Sequence, residues 1–325
     1  MRALEYDLPD SAIAQDPIEP RSAARLLVDV GRGVVHRTVA DLPDLLEPGD
    51  LVVVNDTRVL PARLHLRKES GGAAEVLLLE RADGDQWEAL VRPGRRLPPG
   101  TSLFGADGTK VVEVLDRLDE SGRRIIRLLA DPDRHGTVAL PPYVHHALAD
   151  PERYQTVYAA RPGSAAAPTA GLHLTHDVLD RCRARGITVV TVDLAVGLDT
   201  FRPITADDVD DHVMHSEAYR IPDTTWAACQ AAAGRVVAVG TTTVRALESA
   251  AATGQLQGRT DLFIKGDYPF RVVDVLLTNF HLPRSSLLLL IDAFYGPGWR
   301  DLYETALREG YRFLSFGDAM LIARR

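Results

Sequence analysis

Cysteine is nearly absent from this chain. Only Cys182 and Cys229 occur among 325 residues, and they lie far apart. A cysteine-rich zinc site is thereby excluded, and a reducing compartment fits. Long apolar runs are missing as well. The longest, 287–291, is too short to span a bilayer and is stopped by Asp292. The opening MRALEYDLPDS has no apolar core for export. We therefore expect a cytoplasmic protein with no membrane contact. A positive charge balance is also lacking: the formal net charge is −8, so any RNA contact must be local. There is no Walker A sequence, no G-x-G-x-x-G and no G-x-S-x-G, which disfavours kinases, dinucleotide enzymes and α/β-hydrolases. What remains is an ordinary globular composition, 46% apolar and 25% charged. The length suggests two domains or one domain with an insertion.

The texture changes along the chain. After a Pro-punctuated start, apolar runs at 26–30 and 51–54 read as strands, the second ending in Asn55-Asp56-Thr57-Arg58. From about 64 to 139, short β-rich runs separated by Gly or Asp turns read as a small all-β barrel or sandwich. That stretch holds 12 Lys+Arg against 13 Asp+Glu, so the excess acid lies elsewhere. After Tyr143, strands and helices alternate, which implies crossovers and an α/β core. The sequence THDVLDRCRARG reads as a helix capped by Thr175 and stopped by Gly186. The expectation is an α/β main unit, 1–63 and 140–325, interrupted by an inserted all-β unit, 64–139.

In α/β sheets, polar residues just past strand carboxyl ends line the ligand crevice. Three segments have that form: Asn55-Asp56-Thr57-Arg58, Gly240-Thr241-Thr242-Thr243 with Arg245 on the following helix, and Thr278-Asn279-Phe280-His281. Each alone reads more simply as a turn, a helix cap or a structural histidine. Three in one chain point to a site. Gln155, Thr169, Gly171 and His173 form a second polar group around a Pro-Thr-Ala-Gly turn, where backbone can approach a ligand. His212-x-x-His215 with Glu217 has some elements of a metal site, although a solvated loop is the plainer reading. We expect no metal.

Taken together, IAQDPIEPR, PGDLVVVNDTRVLPARL, LPPY, YQTVYA, AAPTAGLHLT, TFRP, DHVMHSE, VAVGTTTVRALES, LLTNFHLPRSSL and YRFLSFGDAM resemble the S-adenosylmethionine:tRNA ribosyltransferase-isomerase family. The resemblance runs from about Tyr6 to Ile322. The motifs are modest singly, but about ten in one order are specific. The resemblance implies a barrel-like α/β main domain with an inserted small antiparallel β-barrel. It also implies a reaction. The ribosyl part of S-adenosylmethionine moves to the aminomethyl group of a wobble 7-deazaguanine in tRNA. There it is rearranged to an epoxycyclopentanediol, giving epoxyqueuosine, and adenine and methionine leave. S-adenosylmethionine is then a ribosyl-donor substrate, tRNA the partner, and a monomer the expected state. On this resemblance His173, His215, Glu217 and His281 are acid/base candidates. Asn55, Asp56, Thr57, Arg58, Tyr143, Gln155, Thr169, Gly171, Thr200, Thr241, Thr242, Arg245, Thr278 and Asn279 are candidates for substrate binding. Arg92, Arg95 and Arg96, joined by Arg123, Arg124 and Arg127, are candidates for RNA contact.

The pattern breaks in places. The family's TLHVG-GTF becomes DLAVGLDTF, which introduces Asp193, Ala195 and Asp199; Gly266, Asp267 and Asp292 are further departures. Carboxylates repel phosphate. These changes raise an alternative: a paralogue that uses S-adenosylmethionine with a small-molecule acceptor, or cleaves it without tRNA. A non-catalytic nucleoside- or RNA-binding module is a third reading, against which the retained NDTR, GTTTVR and TNFHLP motifs argue.

Overall fold

The computed structural model describes residues 4–31, 33–119, 122–197, 204, 209, 214 and 216–325. A nine-stranded mixed sheet forms the larger part. Its spatial order is Gln257–Thr260, Glu217–Arg220, Thr188–Leu194, Leu51–Asn55, Val236–Val239, Val275–Asn279, Ala319–Ala323, Arg25–Asp29 and Val35–Thr38. The four strands from Thr188–Leu194 to Val275–Asn279 are mutually parallel, and the outer strands include antiparallel pairs. All residues of Leu51–Asn55, Val236–Val239 and Val275–Asn279 are buried, as the continuous apolar runs of a parallel sheet covered on both faces require.

Chain order and spatial order differ beside Leu51–Asn55. Of the parallel strands that follow it in the chain, Thr188–Leu194 lies on one side and Val236–Val239 on the other. Such a reversal opens a crevice at the carboxyl ends of the strands. Helix Thr241–Thr253 begins at that edge and is buried from Thr241 through Ala250. Its long polar side chains are matched. Arg245 pairs with Glu217; Ser249 meets Thr260; the fully buried Glu248 accepts backbone N–H bonds from Arg271, Val272 and Val273 at 2.9–3.1 Å. A buried charge tolerates its site only with such partners. The capping expectations hold at helix His176–Ala184: Thr175 Oγ1 accepts from Val178 N, and Gly186 adopts φ +78°.

The second sheet spans residues 63–137. Six antiparallel strands close on themselves in the order Arg63–Lys68, Ala73–Asp83, Gln86–Arg92, Arg123–Leu128, Lys110–Arg117 and Ser102–Phe104, the last pairing back to the first. Period-2 alternation sends Leu64, Leu66, Val76, Trp87, Val91, Val112, Val114 and Ile126 inward to one core. Arg259 of the outermost strand of the large sheet forms a two-pronged ion pair with Glu80 of the barrel. The fold is the expected α/β assembly with an inserted antiparallel barrel. No described helix is long and apolar enough to cross a membrane.

Candidate active site

The crevice holds a cavity lined from five directions. Gly240, Thr241 and Thr242 come from the start of the buried helix. Thr278 and Asn279 end strand Val275–Asn279, and Phe280, His281 and Leu282 follow it. Ala167 to Ala170 come from the Pro-Thr-Ala-Gly turn. Tyr143 comes from the LPPY segment, and Leu314 and Ser315 from the chain before the last strand. Val196, Ser285 and Leu287 complete the wall. Motifs far apart in sequence thus meet at one place. The polar groups in this lining are seven hydroxyls, one amide and one imidazole, with no charged side chain among the described residues.

The Thr-Asn-Phe-His run divides its work. Phe280 is fully buried and stacks on Phe313 at 4.7 Å between ring centres, with Tyr303 edge-on. That aromatic anchor fixes the turn. Its neighbours are then held by hydrogen bonds. Asn279 Oδ1 accepts from Thr169 Oγ1 at 2.9 Å, and Asn279 Nδ2 donates to the carbonyl of Leu314 at 3.1 Å, tying three segments together. His281 N donates to Tyr303 OH at 3.0 Å, and Tyr6 OH donates to the His281 carbonyl. The His281 ring lies 3.1 Å through Nε2 from Thr278 Oγ1. Burial pushes its pKa down to about 3, so the imidazole is neutral at physiological pH. The Tyr143 and Ser315 hydroxyls are 2.7 Å apart, and burial raises the Tyr143 phenol well above its ordinary value.

Several candidates lie elsewhere, for physical reasons. Asn55 is fully buried: its Nδ2 donates to Leu194 O at 3.0 Å and to Thr242 Oγ1 at 3.4 Å, and its Oδ1 accepts from Leu194 N and Thr57 N. It rivets two strands to the helix and does not line the cavity. Asp56 is buried outside the cavity with Arg161 at 3.8 Å, and desolvation raises its carboxyl. Thr57 is buried with it. Arg58 faces Glu152 at 2.6 Å in a surface groove. Gln155 clasps both backbone groups of Val59, at 3.0 and 2.9 Å. At Gly171 the close backbone approach is to Tyr158, whose hydroxyl would stand 2.1 Å from a Cβ there; the partner is a side chain of the protein. Both His173 ring nitrogens face carbonyls, Ala170 O at 3.1 Å and Gly317 O at 2.8 Å. The ring pins the Pro-Thr-Ala-Gly turn to the Ser-Phe-Gly-Asp segment.

Arg245 and Glu217 also depart from expectation. The guanidinium contacts Glu217, Leu262 O and Thr260 O, and Gly197 N donates to Glu217 at 3.1 Å. Both side chains are 6% exposed. The two form a buried ion pair that does not line the cavity. His212, His215, Asp199 and Thr200 lie outside the described residues. Among the described residues no group of three metal-ligating side chains occurs.

The described departures from the family pattern, Asp193, Ala195, Gly266, Asp267 and Asp292, are not in the cavity wall. Asp193 and Ala195 are on the strand face opposite to Val192, Leu194 and the lining residue Val196. Asp292 Oδ1 accepts from the Trp299 indole at 2.8 Å, and Gly266 supplies a left-handed turn at φ +57°. Conversely, sequence reasoning missed Ser315, Ser285 and Leu314. Leu314 adopts φ +68°, a strained state for a branched residue. The signal was present in the LSFGD motif, where Gly317 permits the tight turn: a Cβ there would lie 2.4 Å from the Arg312 carbonyl.

Comparison with known proteins agrees with this geometry. The family model described as "Queuosine biosynthesis protein" matches residues 1–322. An S-adenosylmethionine:tRNA ribosyltransferase-isomerase of Symbiobacterium thermophilum is 49% identical over 340 residues, covering 98% of both chains. The protein of that name in Moorella thermoacetica is 49% identical over 336 residues, again covering 98% of both. The crystal structure of an S-adenosylmethionine tRNA ribosyltransferase from Thermotoga maritima superposes with a TM-score of 0.57 at 36% identity, covering 98% of this chain and 99% of that one. The strand-end cavity is thus built from the motifs that carried the resemblance, and the chain belongs to the queuosine-biosynthesis family of S-adenosylmethionine:tRNA ribosyltransferase-isomerases.

Proposed function

We propose that this enzyme transfers and isomerises the ribosyl moiety of S-adenosylmethionine onto 7-aminomethyl-7-deazaguanine in tRNA, giving epoxyqueuosine and releasing adenine and methionine. One observation carries the reading: GTTT, TNFH, PTAG, LPPY and LSF, scattered over the chain, converge on one cavity at the sheet's topological reversal.

The residues suit the chemistry. The sulfonium acidifies the donor's C5′ hydrogens, so the reaction needs a group that can take a proton there. His281, neutral at working pH, is in the accepting form and is held by backbone bonds to Tyr303 and from Tyr6. Adenine departure needs hydrogen bonds to the leaving base, and the Tyr143–Ser315 hydroxyl pair supplies donors that stay protonated. The methionine carboxylate finds no free side-chain cation in the described lining. The start of the helix at Thr241 carries a partial positive charge and suits it. The ribose hydroxyls have Thr169, Thr241, Thr242 and Thr278 within the same wall.

The test is adenine release from S-adenosylmethionine, with and without tRNA carrying the aminomethyl-deazaguanine. Release that requires both substrates is the expected result. Release at the same rate without tRNA would overturn the reading in favour of hydrolytic cleavage or a small-molecule acceptor.

A further inference from the structure

The barrel carries a cationic face that the chemistry above does not use. On strand Arg63–Lys68 the outward positions are Arg63, His65 and Arg67, alternating with inward Leu64 and Leu66. Across the sheet, His65 registers with Glu75, and Glu75 with Arg92. Strand Gln86–Arg92 then runs into the short helical turn Gly94–Arg96. Arg92, Arg95 and Arg96 are exposed and have no ion pair or hydrogen bond from their side chains among the described residues.

The turn that presents them is braced from beneath. Arg124, 3% exposed, donates to Gly94 O at 2.7 Å and to the carbonyls of Asp119 and Arg123. Lys68 Nζ donates to Arg96 O at 2.9 Å. Two neighbours expected to share the cationic surface are engaged: Arg123 with Glu88, and Arg127 with Asp85 at 3.4 Å. Arg124 is the brace and no surface contact. The acids near the face are Glu75, held by Arg63 at 3.1 Å, and Glu69 in the following turn.

This face connects to the cavity. Arg63, Glu75, Leu77, Leu90 and Arg92 form a groove whose far wall is Leu140 and Pro142. One residue further on, Tyr143 lines the strand-end cavity. The LPPY segment therefore has one end in the cationic groove and the other in the site.

We propose that this groove, together with the Gly94–Arg96 turn that follows its strand, is the track of the acceptor's sugar–phosphate backbone. Arg92, Arg95 and Arg96 hold phosphates, and the LPPY segment guides the strand towards the cavity. The occupant is a polyanion of nucleic-acid type, because unpaired guanidinium groups in a protein of net charge −8 are suited to bidentate phosphate contacts. The inference rests on the tRNA reading given above.

The experiment compares wild type with the triple variant Arg92→Ala/Arg95→Ala/Arg96→Ala. It measures affinity for the acceptor tRNA from 50 to 200 mM salt, S-adenosylmethionine affinity, and adenine release at saturating tRNA. Melting curves establish that these exposed changes leave the fold intact, and Arg37→Ala, on the opposite edge strand, is the control. We expect the triple variant to bind tRNA about tenfold more weakly or worse, with a salt slope shallower by about two to three, since each phosphate contributes roughly −0.7 to −0.9. S-adenosylmethionine affinity and turnover at saturating tRNA should stay within about twofold of wild type, because phosphate contacts set RNA affinity and not the chemical step. Glu75→Gln removes the acid in the groove and should tighten tRNA binding. If wild type binds tRNA and the triple variant matches it in affinity and slope, the groove is not the track and the tRNA reading stands. If wild type shows neither tRNA affinity at low salt nor tRNA-dependent adenine release, both fall together.

Discussion

The strand-end cavity and the barrel face solve recognition in opposite ways. The cavity presents hydroxyls, an amide and a neutral imidazole, with no charged side chain among its described residues. The barrel face presents arginines without partners. Inside the main unit, the buried charges of the sheet and its helix are matched at three places: Arg245 with Glu217, Glu248 with three backbone N–H groups, Asp50 with Arg235. A buried unpaired charge is costly, so the folded core accepts ions only as structure. Ions available for a ligand must sit where water can reach them. The difference teaches that charge in this sequence divides by burial: the buried pairs of the sheet hold the fold, and on the barrel, where Arg63, Arg123, Arg124 and Arg127 are engaged, Arg92, Arg95 and Arg96 stay exposed and available.

The sharpest way to break the comparison is to remove the cavity's imidazole. His281→Ala should lower adenine release by about 10²–10⁴-fold, the usual worth of a positioned acid–base group, with S-adenosylmethionine still bound. Turnover near wild type with a matched melting curve would remove His281 from the chemistry. Next in size is the matched ion. Glu217→Ala strands Arg245 in the interior and should cost about 3–5 kcal/mol of stability in denaturant unfolding; a variant of wild-type stability would mean the pair is not structural. Salt separates the two regions directly. S-adenosylmethionine affinity should change by less than about twofold between 50 and 200 mM salt, whereas three phosphate contacts alone predict a loss of about 30-fold for tRNA. Equal salt dependence would erase the distinction.

The smallest effect is in pH. The folded pKa of His281 is depressed from 6.5 to about 3, so the ring stays neutral from pH 5 to 8 and should contribute no inflection to the rate there. Its sign in stability follows. Below pH 6.5 the unfolded chain takes up a proton that the folded ring refuses, so stability falls with acidification until about pH 3. His281→Gln should flatten that fall by up to one proton's worth of slope. A rate inflection near pH 6.5 that vanishes in this variant would contradict the assignment.

Much of this was legible in the sequence, and the rest was hidden for definite reasons. Period and punctuation announced the strands, the inserted barrel and the helix capped by Thr175. The polar strand ends after Val239 and Leu277, singled out as candidates from the sequence, line the cavity. Asn55, Gln155 and Arg245 did not, because what a polar side chain faces depends on remote partners: Asn55 meets Leu194, Gln155 meets Val59, and Arg245 meets Glu217. Gly171 looked like room for a ligand and makes room for Tyr158. Ser315 was hidden because nothing local shows that the left-handed Leu314 turns its neighbour towards Tyr143. Asn279 proved to be more firmly held than a free strand-end amide, since it joins three segments. Its replacement by Ala should therefore lower stability as well as rate.

The most direct measurement is a crystal structure of the enzyme with S-adenosylmethionine bound. The account predicts the nucleoside in the strand-end cavity, in contact with the walls formed by 167–170, 240–242, 278–282 and 314–315. A ligand held wholly within the barrel, residues 63–137, would contradict it.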